Sequence, residues 1–144
     1  MSYTIRDLIN NNKDENIAIT SENNNVIKYS DLKKQIFDIS GQLASQGIMP
    51  SNRAAIVLPN GPEMATAFLS ISSYMSAAPL NPSYKLKEYE FYLQDLMPKI
   101  VIVEKDSQNP AVEAAKNLGI EICEIKKIDN APVSYTHLTL PTSR

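Results

Sequence analysis

The sequence predicts an α/β fold in which alternating strand and helix units build a largely parallel sheet. Three observations lead there. From Val26 onward, short apolar runs alternate with stripes of helical period, giving β-α-β-α-β-α-β-α-β. Ala54–Leu58 and the middle of Lys99–Glu104 (KIVIVE) are apolar at consecutive positions, as strands buried on both faces must be. Between Ala54 and Pro82 a strand, a helix and a second strand follow closely, the pattern expected at the centre of a parallel sheet.

Each element has its own warrant. Thr4 to Ile9 suits a short helix with Ile5, Leu8 and Ile9 on one side. Asn16–Thr20 and Val26–Tyr29 flank the turn Glu22-Asn23-Asn24-Asn25, a hairpin pattern because Asn tolerates positive φ. Ser30 is the expected N-cap of the first long helix, with Asp31 near the positive end of its dipole. Leu32, Ile36, Ile39 and Leu43 share one face of it, and Gly47 is placed to end it. Pro59 closes the run Ala54–Leu58. Asn60 should cap the next helix, about Gly61 to Met75, with Glu63 at its third position. That helix carries no charge after Glu63, so it should lie packed between layers. Ala77–Pro82 reads as a short buried strand. Leu86, Tyr89, Leu93 and Leu96 stripe a helix from Leu86 to Leu96, which Pro98 stops. Asn109 and Pro110 open the last helix, which runs to Leu118 and ends at Gly119. Ile120–Ile125 is expected as the final strand.

Composition narrows the function classes. The chain has 144 residues, 43% of them hydrophobic, with a net charge of -2, so neither nucleic acid nor an anionic membrane is an expected partner. A single cysteine, Cys123, excludes an intrachain disulfide and a multi-cysteine metal site. The start lacks an apolar signal core, and no run is hydrophobic enough to span a membrane, so a soluble, cytoplasmic protein is expected.

The four glycines form no phosphate-cradling loop. His137 is the lone histidine, so no Ser-His or Cys-His pair can be built around the body of the chain. Cys123 sits mid-strand without an activating base and reads as a buried structural thiol. Glu88 and Glu90 point to opposite sides of a helix, and with Asp95 they read as a solvated face. Tyr84, Tyr89, Phe91 and Tyr92 could stack on a flat ligand but read first as packing. Asn81 ends a strand where ligands of open α/β sheets gather, yet an Asn closing a local turn is the simpler and favoured reading. The expected site inventory is therefore empty: no catalytic, cofactor-binding or metal-ligating residue.

Several segments carry a family resemblance. Ile27–Leu32 resembles the "TYxEL" segment of AMP-forming acyl-CoA synthetases, the adenylate-forming ligase superfamily. Leu43–Ile56 is similar to its "LxxxGixpGDrVai", Leu58–Glu63 to "LPNspEf", and Ala67-Phe68-Leu69 to "aFLa". Ala77–Tyr84 with Glu88–Asp95 resembles the "aaPLNpaYtxeEfeFYLxD" of the oxalate–CoA ligase-like subgroup. Ala114–Ile120 continues in the same style. Ser51-Asn52 stands where the family has Gly-Asp, and Ser73-Tyr74-Met75 where Lys-Ala-Gly is common; both fall in turns or helix.

The resemblance implies an incomplete N-terminal part, residues 1–131, of a larger adenylate-forming domain. The intact enzyme it implies uses ATP and Mg²⁺ to form an acyl-adenylate from a carboxylate, then passes the acyl group to coenzyme A. A cytoplasmic setting follows, or a peroxisomal one in a eukaryote. The alternatives are another acyl substrate (fatty acid, aryl acid or luciferase-like) and a stand-alone βαβ module. A receiver-type module fits poorly, since the strand ends read Leu58-Pro59-Asn60 and Glu104-Lys105-Asp106. The family's phosphate loop, adenylate segment, ribose-binding Asp and late Lys have no matching positions here. Residues 132–144, ending in Val133–Arg144, resemble a translated sequencing adapter and are expected to be non-native, the natural sequence breaking off near Ala131.

Overall fold

Two apolar faces on each central strand decide the architecture. The computed structural model describes residues 4–22, 24–127 and 136–139. Its elements are α1 (Ile5–Asn10), β1 (Ile17–Thr20), β2 (Val26–Lys28), α2 (Tyr29–Ser45), β3 (Arg53–Ile56) and α3 (Pro62–Ser72). They continue with β4 (Ser76–Pro79), α4 (Leu86–Leu96), β5 (Ile100–Glu104), α5 (Pro110–Asn117), β6 (Glu121–Lys127) and β7 (Thr136–Thr139). The main sheet has the order β4-β3-β5-β6-β7; its first four strands are parallel and β7 runs antiparallel to β6. The hairpin β1–β2 stands apart as a two-stranded antiparallel sheet.

Strand alternation sorts the core into two layers. Ala54, Ile56 and Leu58, with Ile100, Ile102, Cys123 and Ile125, face α2 and α3 through Ile39, Leu43, Ala67 and Ile71, with Met75 after α3 completing the layer. Ala55, Val57, Val101 and Val103 face α4 and α5 through Tyr89, Leu93, Ala111, Ala114 and Ala115. A third, smaller cluster joins Ile9, Ile27, Leu32 and Ile36, with Leu69 of α3 packed against it. Helix α3 therefore lies between the sheet and the hairpin side, as its uncharged sequence required. Its buried hydroxyls bond within the helix: Thr66 donates to the Pro62 carbonyl at 2.7 Å and Ser70 to the Thr66 carbonyl at 2.8 Å. No helix among the described residues is long and apolar enough to cross a membrane.

Helix ends follow the sequence signals where the backbone is free to obey them. After α2, Gly47 at φ 76° lets its own N–H reach the Ala44 carbonyl while Ile48 N–H reaches that of Leu43, a Schellman motif. Asn109 caps α5 by accepting from Ala111 N–H at 2.9 Å, with Pro110 in the first turn.

Several expectations are corrected. Ser30 is not the cap of α2; the helix starts at Tyr29, because Tyr29 and Ser30 N–H donate to the carbonyls of Asn16 and Asp14. Asp31 accepts from Lys28 N–H at 3.3 Å instead. Asn60 does not cap α3. Gly61 is the cap residue and has no side chain to cap with, and Pro62 begins the helix and removes one donor that would need a partner. The helix also ends earlier, at Ser72. Of Ile5, Leu8 and Ile9, expected on one side of α1, only Ile9 is buried and Leu8 is exposed.

Strand β4 is not a buried central strand but the outer strand of the sheet, with exposed ends and a half-buried middle. Pro79 explains this position. Leu80 N–H donates inward to the Ile56 carbonyl at 2.9 Å, so alternation turns Pro79 toward the free side, where its missing N–H breaks no ladder bond. It also leaves that edge poorly suited to pairing with another strand. At the other side, β6 is not the final strand. Residues 136–139, excluded above from the fold, lie against it in the register Glu124↔Thr139 to Lys127↔Thr136. The rest of the 132–144 segment, and the break near Ala131, lie outside the described residues.

Gly61 gives a prediction with a built-in control. At φ 155° and ψ −176° it occupies a region essentially reserved for glycine, while a Cβ there would meet Glu63 Oε2 at 3.4 Å. Space is adequate, so the backbone decides: Gly61→Ala should destabilise by about 1–3 kcal/mol. Gly41 lies inside α2 with open space around it, and Gly41→Ala should stabilise by about 0.4–1 kcal/mol. Urea midpoints moving in the same direction for both variants would refute the assignment.

Candidate functional site

The sheet order places a topological switch at the carboxyl ends of β3 and β5. From β3 the chain crosses α3 to reach β4 on one side. From β4 it crosses back over β3, through α4, to reach β5 and then β6. Loops leaving β3 and β5 therefore diverge to opposite faces, which is where open α/β sheets form ligand crevices. Three segments make this rim: Leu58–Gly61, Leu80–Tyr84 and Lys105–Asn109.

The polar groups of the rim bond mainly to one another. Asn81 Oδ1 accepts Ser83 N–H at 2.8 Å, so the side chain closes its own turn, the simpler of its two readings. The Asn81 carbonyl accepts the Tyr89 hydroxyl at 2.7 Å and Tyr84 N–H at 3.2 Å. Asn109 Nδ2 donates to the Pro82 carbonyl at 2.9 Å while its Oδ1 caps α5. Ser107 Oγ accepts Asn109 N–H, and Glu124 Oε2 accepts Asp106 N–H. These bonds lace the loops after β4 and β5 together on the α4–α5 face. The Asn109–Pro82 tie was missed from sequence: the two residues are 27 positions apart, and the capping motif already accounted for Asn109.

The aromatic group is divided by the fold. Tyr89 is fully buried, and burial pushes its hydroxyl above the ordinary tyrosine range, with the Asn109 amide pulling part of the way back. Tyr84 stacks on Tyr92 at 5.0 Å between ring centres and meets Tyr89 edge-on at 5.6 Å. The Tyr92 hydroxyl beside it raises the Tyr84 pKa. Phe91 stands 66% exposed, against the packing role expected for it.

The acids are not brought together. Glu88 Oε1 accepts Lys85 N–H at 3.1 Å, closing the first turn of α4. Among the described residues no three His, Cys, Asp or Glu side chains are grouped to hold a metal ion.

Cys123 is buried in the α2–α3 layer, and burial first, then the charge of Glu121, pushes its thiol up to about 12. The neutral thiol is the form the fold stabilises. That stabilisation is complete below the unfolded-state pKa near 9 and is lost as pH rises toward about 12, because the unfolded thiol ionises first. Two outcomes follow: the native chain should resist a thiol-specific disulfide reagent at pH 8 until urea is added, and its urea midpoint should fall between pH 9 and 12. Rapid native labelling at pH 8 would contradict this burial.

A shallow cleft of about 260 Å³ lies at the opposite, amino end of the sheet, lined by Ser51, Asn52, Arg53, Met97, Pro98 and Lys99. One of its cations, Arg53, has a structural explanation. Helix α4 has no basic residue in its last turn, and Arg53 Nε donates to the Leu96 carbonyl at 2.8 Å, serving the negative end of the helix from outside.

Fold and rim together define an open α/β sheet module, wound on both faces, whose strand-end loops are tied by their own hydrogen bonds. The chain belongs to the AMP-binding enzyme family, whose sequence model matches residues 7–140. Oxalate–CoA ligase of Arabidopsis thaliana is 39% identical over 79 residues, covering 54% of this chain and 15% of that protein. Oxalate–CoA ligase of Saccharomyces cerevisiae is 29% identical over 123 residues, covering 77% of this chain and 23% of the relative. The chain thus spans less than a quarter of the length of either relative. The crystal structure of ATP-bound MatB from Rhodopseudomonas palustris superposes with a TM-score of 0.73 at 19% identity, covering 92% of this chain and 26% of MatB. That likeness establishes the fold.

Proposed function

We propose that this chain is the N-terminal α/β portion of an ATP-dependent, AMP-forming carboxylate–CoA ligase whose acid substrate is oxalate. The observation that carries the proposal is the 39% identity to the Arabidopsis oxalate–CoA ligase. It agrees with the subgroup pattern read across Ala77–Asp95. The complete enzyme would join a carboxylate to the α-phosphate of ATP, releasing pyrophosphate, and then transfer the acyl group to the thiol of coenzyme A with release of AMP.

In this reading ATP and Mg²⁺ are held by residues of the longer chain rather than by this portion. What supports this is that the carboxyl-end rim has no glycine-rich loop, that Ser83 N–H and Ala111 N–H serve a turn and a cap, and that among the described residues no three His, Cys, Asp or Glu side chains are grouped. The role of this portion is a rigid sheet on which the reacting groups of a longer chain are mounted. Residues 132–144 are, in this proposal, not part of the natural protein.

Sequencing the gene downstream of the codon for Ala131 tests the proposal. An in-frame Ser/Thr/Gly-rich phosphate loop is expected there, and the complete enzyme should release pyrophosphate with oxalate in preference to aryl or fatty acids. The 144-residue chain, given ATP, Mg²⁺, oxalate and CoA, should release none above buffer. Pyrophosphate release by the isolated chain would overturn the scaffold assignment, absence of the loop would overturn the ligase, and preference for another acid would overturn oxalate alone.

A further inference from the structure

We draw no further inference here: the strongest candidate, the aromatic patch of exposed Phe91 and Tyr92 with half-buried Tyr84 at the start and outer side of α4, carries nothing because nothing in the structure shows what covers it.

Discussion

Tyr89→Ala is expected to destabilise the chain by about 3–5 kcal/mol, the range for removing a buried aromatic side chain. Tyr89 is wholly buried among Ala55, Val57, Leu93 and Val101, and its hydroxyl ties α4 to the turn after β4. Its removal leaves a cavity and cuts that tie. Against a total stability of about 5–15 kcal/mol, the loss is a substantial share of what keeps the chain folded. Tyr89→Phe separates the two effects. The ring stays, and the Asn81 carbonyl still accepts Tyr84 N–H, so no buried acceptor is orphaned. The cost should therefore be only about 0.5–1.5 kcal/mol. Urea unfolding followed by circular dichroism measures both. A Tyr89→Ala midpoint close to that of the parent chain would mean that Tyr89 is not the anchor of this layer.

Ile56→Ala should cost about 2–5 kcal/mol. Ile56 lies in β3, paired with Pro79 on one side and Ile102 on the other, and its side chain is fully buried in the layer beneath α2 and α3. Helices flank the sheet on both faces, so the site cannot collapse readily into the space left behind. Ile17, in the hairpin, is 56% exposed, and Ile17→Ala should change stability by less than about 0.5 kcal/mol. The same chemical change thus has two very different outcomes, decided by burial. Equal urea midpoints for the two variants would sink the layer assignment.

The candidate site was legible in the sequence only in outline. Strand ends could be placed, and Asn81 stood out because it lies between Leu80 and Pro82 at one of them. Its two readings differ in where a single side-chain oxygen points, and sequence spacing does not carry that information. The structure points it at Ser83 N–H. Asn109 shows the opposite case. Its cap on α5 was readable from the Pro110 beside it, whereas its bond to Pro82 depends on how two loops meet across the sheet.

What the sequence alone determined was the set of elements and their buried faces. Leu32, Ile36, Ile39 and Leu43 are buried as their spacing required, and α4 spans Leu86–Leu96 as its stripe indicated. Periodicity is a local property, so it survives any arrangement of the elements. Tertiary structure alone decided the strand order, the peripheral place of β4 and the start of α2 at Tyr29. Each depends on which distant group satisfies a backbone N–H. Asn16 and Asp14 draw α2 forward, and the Ile56 carbonyl turns Leu80 inward, leaving Pro79 on the open side. The stretch from Ala54 to Pro82 is therefore half centre and half rim of the sheet, a division that hydrophobicity could not express because both strands are apolar.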